Sequence, residues 1–255
     1  MARADESRAA HIRWNESADE RAWVASSVAA IEQALRVALA GPGHVHLLLS
    51  GGTTPAPVYR AVGIQALDWS RVVVGLVDER DVEPDADGSN ARLIRESLLQ
   101  GAAGEATFEL LRRSHQSIED AVRQANARWR EVGTVSPGFS SAAAGAKIVT
   151  VLGMGDDGHT ASLFPGAVNL PRALASDEPY AAIDATGCKV AGAYAQRISL
   201  TPFGLAHAQA RLLLIRGAGK RAVFERALGE GEIAEMPIRA AIDQAGAPLH
   251  VHWCP

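Results

Sequence analysis

Apolar residues in the first fifth of the chain recur at helical steps. Val24, Val28, Ile31, Leu35 and Leu39 fall on one face of a helix, and Gly41-Pro42-Gly43 stops it. Just ahead, Ser17-Ala18-Asp19-Glu20 has the spacing of a capping box, with Glu20 placed to reach back to the Ser17 amide. The period then changes. Residues 44–49, 72–77 and 147–152 are short, nearly continuous apolar runs of strand length, and 197–201, 211–215 and 249–253 read as further strands. Between them, Thr54 is placed to cap a helix with Pro55 at its first position, and Ser89-Asn90 opens another through about Leu99. Residues 117–132 and 220–228 read as two more helices, and 134–146 as a Gly/Ser/Ala/Pro surface loop.

Apolar strands alternating with helices predict an α/β protein with a largely parallel central sheet and helices on both faces. In such sheets ligands bind outside the carboxyl ends of the strands. The polar and glycine-rich segments here follow strands 45–49, 72–77 and 147–152, so all of them are expected along one edge. That convergence also predicts one domain over residues 1–255.

Composition narrows the setting. The chain has 255 residues, with 47% hydrophobic and 21% charged positions and a formal charge of −4, which excludes a disordered chain and gives no bulk basic surface for nucleic acid. The N-terminal segment lacks the apolar stretch of a secretory signal, and no run approaches a membrane span. The two cysteines, Cys188 and Cys254, have neither disulfide-framework nor zinc spacing, so a reducing, cytoplasmic setting is the expectation.

Chemistry concentrates in the strand-end segments. Ser50-Gly51-Gly52-Thr53-Thr54-Pro55 joins a strand to a helix start: the glycines let amides turn toward an anion, and the hydroxyls add donors. It is a phosphate cradle or a tight turn, and it is not a P-loop, because no Gly-Lys-Ser/Thr follows. Gly153-Met154-Gly155-Asp156-Asp157-Gly158 matches a dinucleotide fingerprint letter for letter. However, Asp156 and Asp157 would repel a pyrophosphate, and Pro165 and Pro171 break the helix and strand that the fingerprint needs. The loop continues into His159, a candidate general base able to titrate near neutrality, with Asp157 or Asp78 available to support it. Asp78, Arg80, Arg197 and Lys220 add acceptors and cations at strand and helix boundaries, where an anionic ligand would need them. His44/His46 and His250/His252 each share a strand face, but no acidic or cysteine partner lies nearby in sequence, so no metal site is expected.

Together these segments resemble the 6-phosphogluconolactonase family, within the wider glucosamine-6-phosphate isomerase/deaminase-like group. The matching stretches are SGGTTP (50–55), VDERDV with SNARL (77–82 and 89–93), GMGDDGHTASLFPG (153–166), RISLT (197–201) and GAGK (217–220), in the family's order. The resemblance implies a Rossmann-like α/β fold and a cofactor-free esterase opening 6-phospho-D-glucono-1,5-lactone in the oxidative pentose phosphate pathway. It further implies that His159 activates water, while Ser50, Gly51, Gly52, Thr53, Thr54, Asp78, Arg80, Arg197 and Lys220 hold the phosphate and sugar. The sister deaminase is similar up to His159 but continues toward Asn-Glu-Pro, with a carboxylate that supports the histidine, and has Tyr where this chain has Arg80. Here Leu163-Phe164-Pro165 stands in that place. A non-catalytic sugar-phosphate sensor on the same fold is the remaining alternative, though no DNA-binding segment is attached.

Overall fold

The computed structural model describes residues 8–133 and 147–255, so the loop expected at 134–146 lies outside the described residues. The chain opens with β1 (Ile12–Glu16), α1 (Glu20–Leu39), β2 (Val45–Leu49), α2 (Ala56–Val62), β3 (Val72–Leu76) and β4 (Asp78–Arg80). It continues through α3 (Asn90–Ser97), β5 (Thr107–Phe108), α4 (Ile118–Gly133), β6 (Lys147–Leu152), α5 (Leu170–Leu174) and β7 (Tyr180–Asp184). The last third holds β8 (Gln196–Leu200), α6 (Pro202–Ala206), β9 (Ala210–Arg216), α7 (Gly217–Leu228), α8 (Arg239–Ile242) and β10 (Leu249–Cys254).

Seven strands form one sheet in the order β1-β10-β9-β6-β2-β3-β5, and every pairing in it is parallel. The central strands are aliphatic because both faces are covered: Leu47, Val74, Val149 and Leu213 are essentially inaccessible. Each such side chain contributes roughly 1.5–3 kcal/mol on burial. Helix α1 lies against this sheet through Trp23, Val28, Ile31, Leu35 and Ala38, close to the stripe read from the sequence.

Two helix starts differ from expectation. The cap of α1 is Asp19, whose carboxylate accepts from the Ala22 amide at 2.8 Å. The Ser17 amide is engaged elsewhere, donating to the Trp253 carbonyl at 2.9 Å as an extension of the β1–β10 ladder, so no capping box closes. Helix α2 begins at Ala56, one residue later than expected, and neither Thr54 nor Pro55 gives it a side-chain cap.

A second sheet, β4-β8-β7, is antiparallel, with Asp78 opposite Ser199 and Arg80 opposite Arg197. It carries its own small core of Leu163, Phe164, Ala167, Leu170, Ala173 and Ile183. Its role is positional: it hangs from the carboxyl end of β3 and walls one side of the strand-end edge.

Burial lowers the pKa of His46, His250 and His252, and His252, shifted far enough to carry a value, makes the largest contribution to the dependence of stability on pH. His252 on β10 lies between Asn15 and Leu214 in the ladder, is 2% exposed, and finds no hydrogen-bond partner for either ring nitrogen. Burial, helped by the neighbouring His250, pushes its pKa down to about 4. A histidine depressed in this way binds its proton more readily in the unfolded chain. Its neutral form therefore supports the fold fully above the ordinary value near 6.5, and that support drains away as pH falls toward 4. At about 1.4 kcal/mol per pKa unit the loss reaches about 2 kcal/mol by pH 5. Urea midpoints at pH 7.5 and 5 are expected to show this drop in the native chain and a smaller one in His252→Leu; equal drops would remove His252 as the cause.

Candidate active site

Because β6, β2 and β3 are neighbours and run the same way, the segments that follow them meet, and β9 brings a fourth. Ser50, Gly51, Gly52, Thr54, Asp78, Arg80, His159, Arg197 and Lys220 all face one cleft of about 240 Å³ at this edge. Thr53 is exposed and does not line it. Asp157 does not line it either, and instead reaches the site through His159.

The histidine loop is held from several sides. The Thr160 hydroxyl donates to the Gly153 carbonyl at 2.8 Å, the Gly155 amide donates to the His159 carbonyl at 2.9 Å, and Gly158 takes φ +81. A Cβ on Gly155 would fall 2.1 Å from His159 Nδ1, so only glycine lets the ring fold back over the loop. There Nδ1 meets Asp157 Oδ1 at 2.6 Å, and the same oxygen accepts from the His159 amide at 3.1 Å. The ring also rests on Phe164, with centroids 4.3 Å apart. Burial would raise the Asp157 carboxyl, but the hydrogen bond and charge of His159 outweigh it and hold the group below the usual carboxylate range. An ionised carboxylate at Nδ1 keeps the proton there and leaves Nε2 as the acceptor. Of the two carboxylates open to that role, Asp157 takes it; Asp78 is occupied by the Ser162 hydroxyl at 2.6 Å.

The residue 50–54 loop leaves β2 with Gly52 at φ +98. Gly51 passes so close to Asn90 that a Cβ there would lie 1.9 Å from its Oδ1. The Tyr59 hydroxyl donates to the Ser50 carbonyl at 2.8 Å and fixes the start of the loop, while the buried Ser50 hydroxyl has no partner.

The cations arrive from two sides. Arg80 donates to the Gly88 carbonyl and stacks 5.8 Å from the Tyr194 ring centroid, with a buried Nε left unpartnered. Arg197, opposite it, donates to the carbonyls of Tyr194 and Ala191 at 2.5 and 3.0 Å and approaches Asp78 to 4.0 Å. Burial lowers the Arg197 pKa, and the nearby Asp78 charge offsets part of that. From the far side, Lys220 sits in the first turn of α7, which begins at Gly217 rather than at the lysine. Its ammonium donates to the Met154 carbonyl at 2.8 Å and pairs with Asp156 at 2.9 Å.

Sequence reading did not single out Asn90 or Arg216, and both line the cleft. Asn90 reads as the opening of α3, yet its amide donates to the Asp78 carbonyl at 2.8 Å and so props the β4 end against the Gly51 loop. Arg216 stands one residue past the predicted end of its strand and pairs with Glu20 at 2.7 and 2.8 Å. Glu79, inside the Asp78-Glu79-Arg80 segment, turns away from the ligand space and into the base of α3. Among the described residues no group of three or more His, Cys, Asp or Glu is placed to hold a metal ion. Nor is any helix long and apolar enough to cross a membrane.

A parallel α/β sheet with a glycine-rich loop, flanking cations and a carboxylate-bound histidine around a cleft at one edge is the layout of an α/β enzyme. Comparison with known proteins narrows this class. The family described as glucosamine-6-phosphate isomerases/6-phosphogluconolactonase matches residues 18–253, and the chain belongs to it. A 6-phosphogluconolactonase of Xylella fastidiosa is 44% identical over 245 residues, covering 96% of this chain and 97% of its own. One from Rhizobium meliloti is 40% identical over 221 residues, covering 87% and 89%. The crystal structure of a 6-phosphogluconolactonase from Shewanella baltica aligns with a TM-score of 0.82 at 32% identity, covering 95% of this chain and 97% of that one.

Proposed function

We propose that this chain hydrolyses 6-phospho-D-glucono-1,5-lactone to 6-phospho-D-gluconate, as one cytoplasmic domain, in the oxidative pentose phosphate pathway. The observation that carries the reading is the His159–Asp157 pair at 2.6 Å on the wall of a cation-flanked cleft. His159 Nε2 takes a proton from water as the oxygen attacks C1, and charge moves to the carbonyl oxygen. As the tetrahedral adduct collapses, the C1–ring-oxygen bond breaks and the imidazolium returns its proton to the departing oxygen. The new carboxylic acid ionises in water. Ser50, Gly51, Gly52, Thr54, Asp78, Arg80, Arg197 and Lys220 hold the phosphate and sugar; Thr53 lies outside the cleft and is left out. This chemistry calls on no cofactor.

The deaminase alternative needs a second acid/base group in the segment after His159. Leu163 and Phe164 occupy that place and are buried in the core of the small sheet, so hydrolysis is the better fit. Purified protein is expected to speed the disappearance of 6-phosphogluconolactone well above its spontaneous rate and to release no ammonia from glucosamine 6-phosphate. The reverse pattern would replace lactonase with deaminase, and activity on neither would favour a sensor.

A further inference from the structure

Only two non-glycine residues among those described have a positive φ, and one of them, Ala161 at +50, lies in the histidine loop. A residue with a Cβ is strained in that conformation and stays there only when its neighbours are fixed. Both neighbours are. Thr160 is tied to Gly153 at 2.8 Å. Ser162, fully buried, is tied twice to the small sheet: its amide donates to the Ser199 hydroxyl at 3.0 Å and its own hydroxyl donates to Asp78 Oδ2 at 2.6 Å.

The two anchors are not independent. Asp78 and Ser199 face each other in the β4–β8 register, so one rigid rung supplies both acceptors. Asp78 and Ser199 are themselves buried, and a hydrogen bond to a buried carboxylate is among the stronger kinds. The His159 ring, by contrast, touches its loop through Asp157 and Phe164, which fix how it turns. The Gly155 and Ile238 amides hold the upstream side of the loop, at the His159 and Gly158 carbonyls, and Ser162 holds its downstream side.

We propose that Ser162, held by Asp78 and Ser199, is a positioning residue that keeps Ala161 strained and thereby sets the depth of His159 in the cleft. The inference rests on His159 being the base. Cutting the anchor lets Ala161 relax toward ordinary backbone angles and carries the histidine, two residues upstream, out of line with the reacting carbon. Asp78 then has a second job behind the loop, besides facing the ligand space.

The test compares Ser162→Ala, Ser199→Ala and the double variant Ala161→Gly/Ser162→Ala by steady-state hydrolysis of 6-phosphogluconolactone, with thermal unfolding alongside. Ser162→Ala is expected to lower kcat by about 10–100-fold, the cost of an ångström-scale misplacement, with KM little changed. The pH at which kcat/KM rises should stay put, because the Asp157–His159 contact survives. Each variant cuts one anchor: Ser162→Ala loses the bond to the Asp78 carboxylate and keeps its amide bond to Ser199, whereas Ser199→Ala loses the neutral amide–hydroxyl bond, the weaker of the two, and should show a smaller loss of the same kind. Glycine at 161 accepts the left-handed conformation without strain, so the double variant is expected to regain much of the lost kcat. An unchanged kcat in Ser162→Ala, or a loss that Ala161→Gly leaves untouched, would overturn the proposal. A native protein inactive on the lactone would instead remove the functional reading on which it rests.

Discussion

Replacing His159 by alanine is expected to lower kcat for lactone hydrolysis by about 10²–10⁴, the usual contribution of a positioned general base. The fold should survive, because what the ring contributes to packing is one contact with Phe164 and one hydrogen bond to Asp157 at the cleft surface. The loop's backbone bonds, Gly155 to His159 and Ile238 to Gly158, need no imidazole. KM should move little, since the charges proposed to hold the substrate lie on other elements. Asp157→Asn is expected to fall between the native enzyme and His159→Ala. It keeps an acceptor near Nδ1 but loses the negative charge that stabilises the imidazolium formed as water is deprotonated. Near-native turnover in His159→Ala, measured against the spontaneous reaction, would place the base elsewhere in the cleft.

The sheet was legible wherever a strand is buried on both faces. Residues 45–49, 72–76 and 147–152 are mostly aliphatic because both faces of the sheet are covered, with His46 and Thr150 as polar exceptions, and their loops had to meet once the strands were parallel. Strands at the margins follow other rules. β1 reads Ile-Arg-Trp-Asn-Glu and β7 reads Tyr-Ala-Ala-Ile-Asp, short mixed stretches that become strands through pairing, β1 with β10 at the other end of the chain and β7 with the next strand, β8. The small sheet was hidden for the same reason: nothing local announces that Asp78 will pair with Ser199. Site residues sort the same way. Glycines, the histidine and its aspartate sit in compact motifs, whereas Asn90 and Arg216 enter the cleft through the packing of α3 and the exact end of β9. The helix caps erred because Ser17 and Thr54 have the right chemistry, but their backbones are committed to the β1–β10 ladder and the glycine turn.

Glu79→Ala is expected to be the most destabilising single substitution at this edge, although the side chain touches no ligand space. Glu79 is 2% exposed and accepts from the amides of Arg80, Asn90 and Ala91, each at 2.8 Å, and from the Ser89 hydroxyl at 3.1 Å. Two of those amides open α3, so the carboxylate also meets the positive end of the helix dipole. Burial pushes its pKa up, and the three amides pull it back only in part, so the charge itself is no net gain to the fold. The cost of removal lies in the donors left behind. Each buried unmet donor costs about 1–3 kcal/mol, and truncating a buried hydrogen-bonded charge about 3–5 kcal/mol in all. For a chain of this size that lowers Tm by about 6–20 °C. Glu79→Gln should lose less, since one oxygen still accepts, while its new N–H₂ faces a donor. Activity of Glu79→Ala should fall well below its melting range too. Asn90, at the helix start, would drift from the Asp78 carbonyl and from Gly51, loosening the wall shared by the cradle and the Ser162 anchor. A Tm within about 2 °C of native would mean that water reaches these amides, and that the helix start, rather than the carboxylate, holds this edge together.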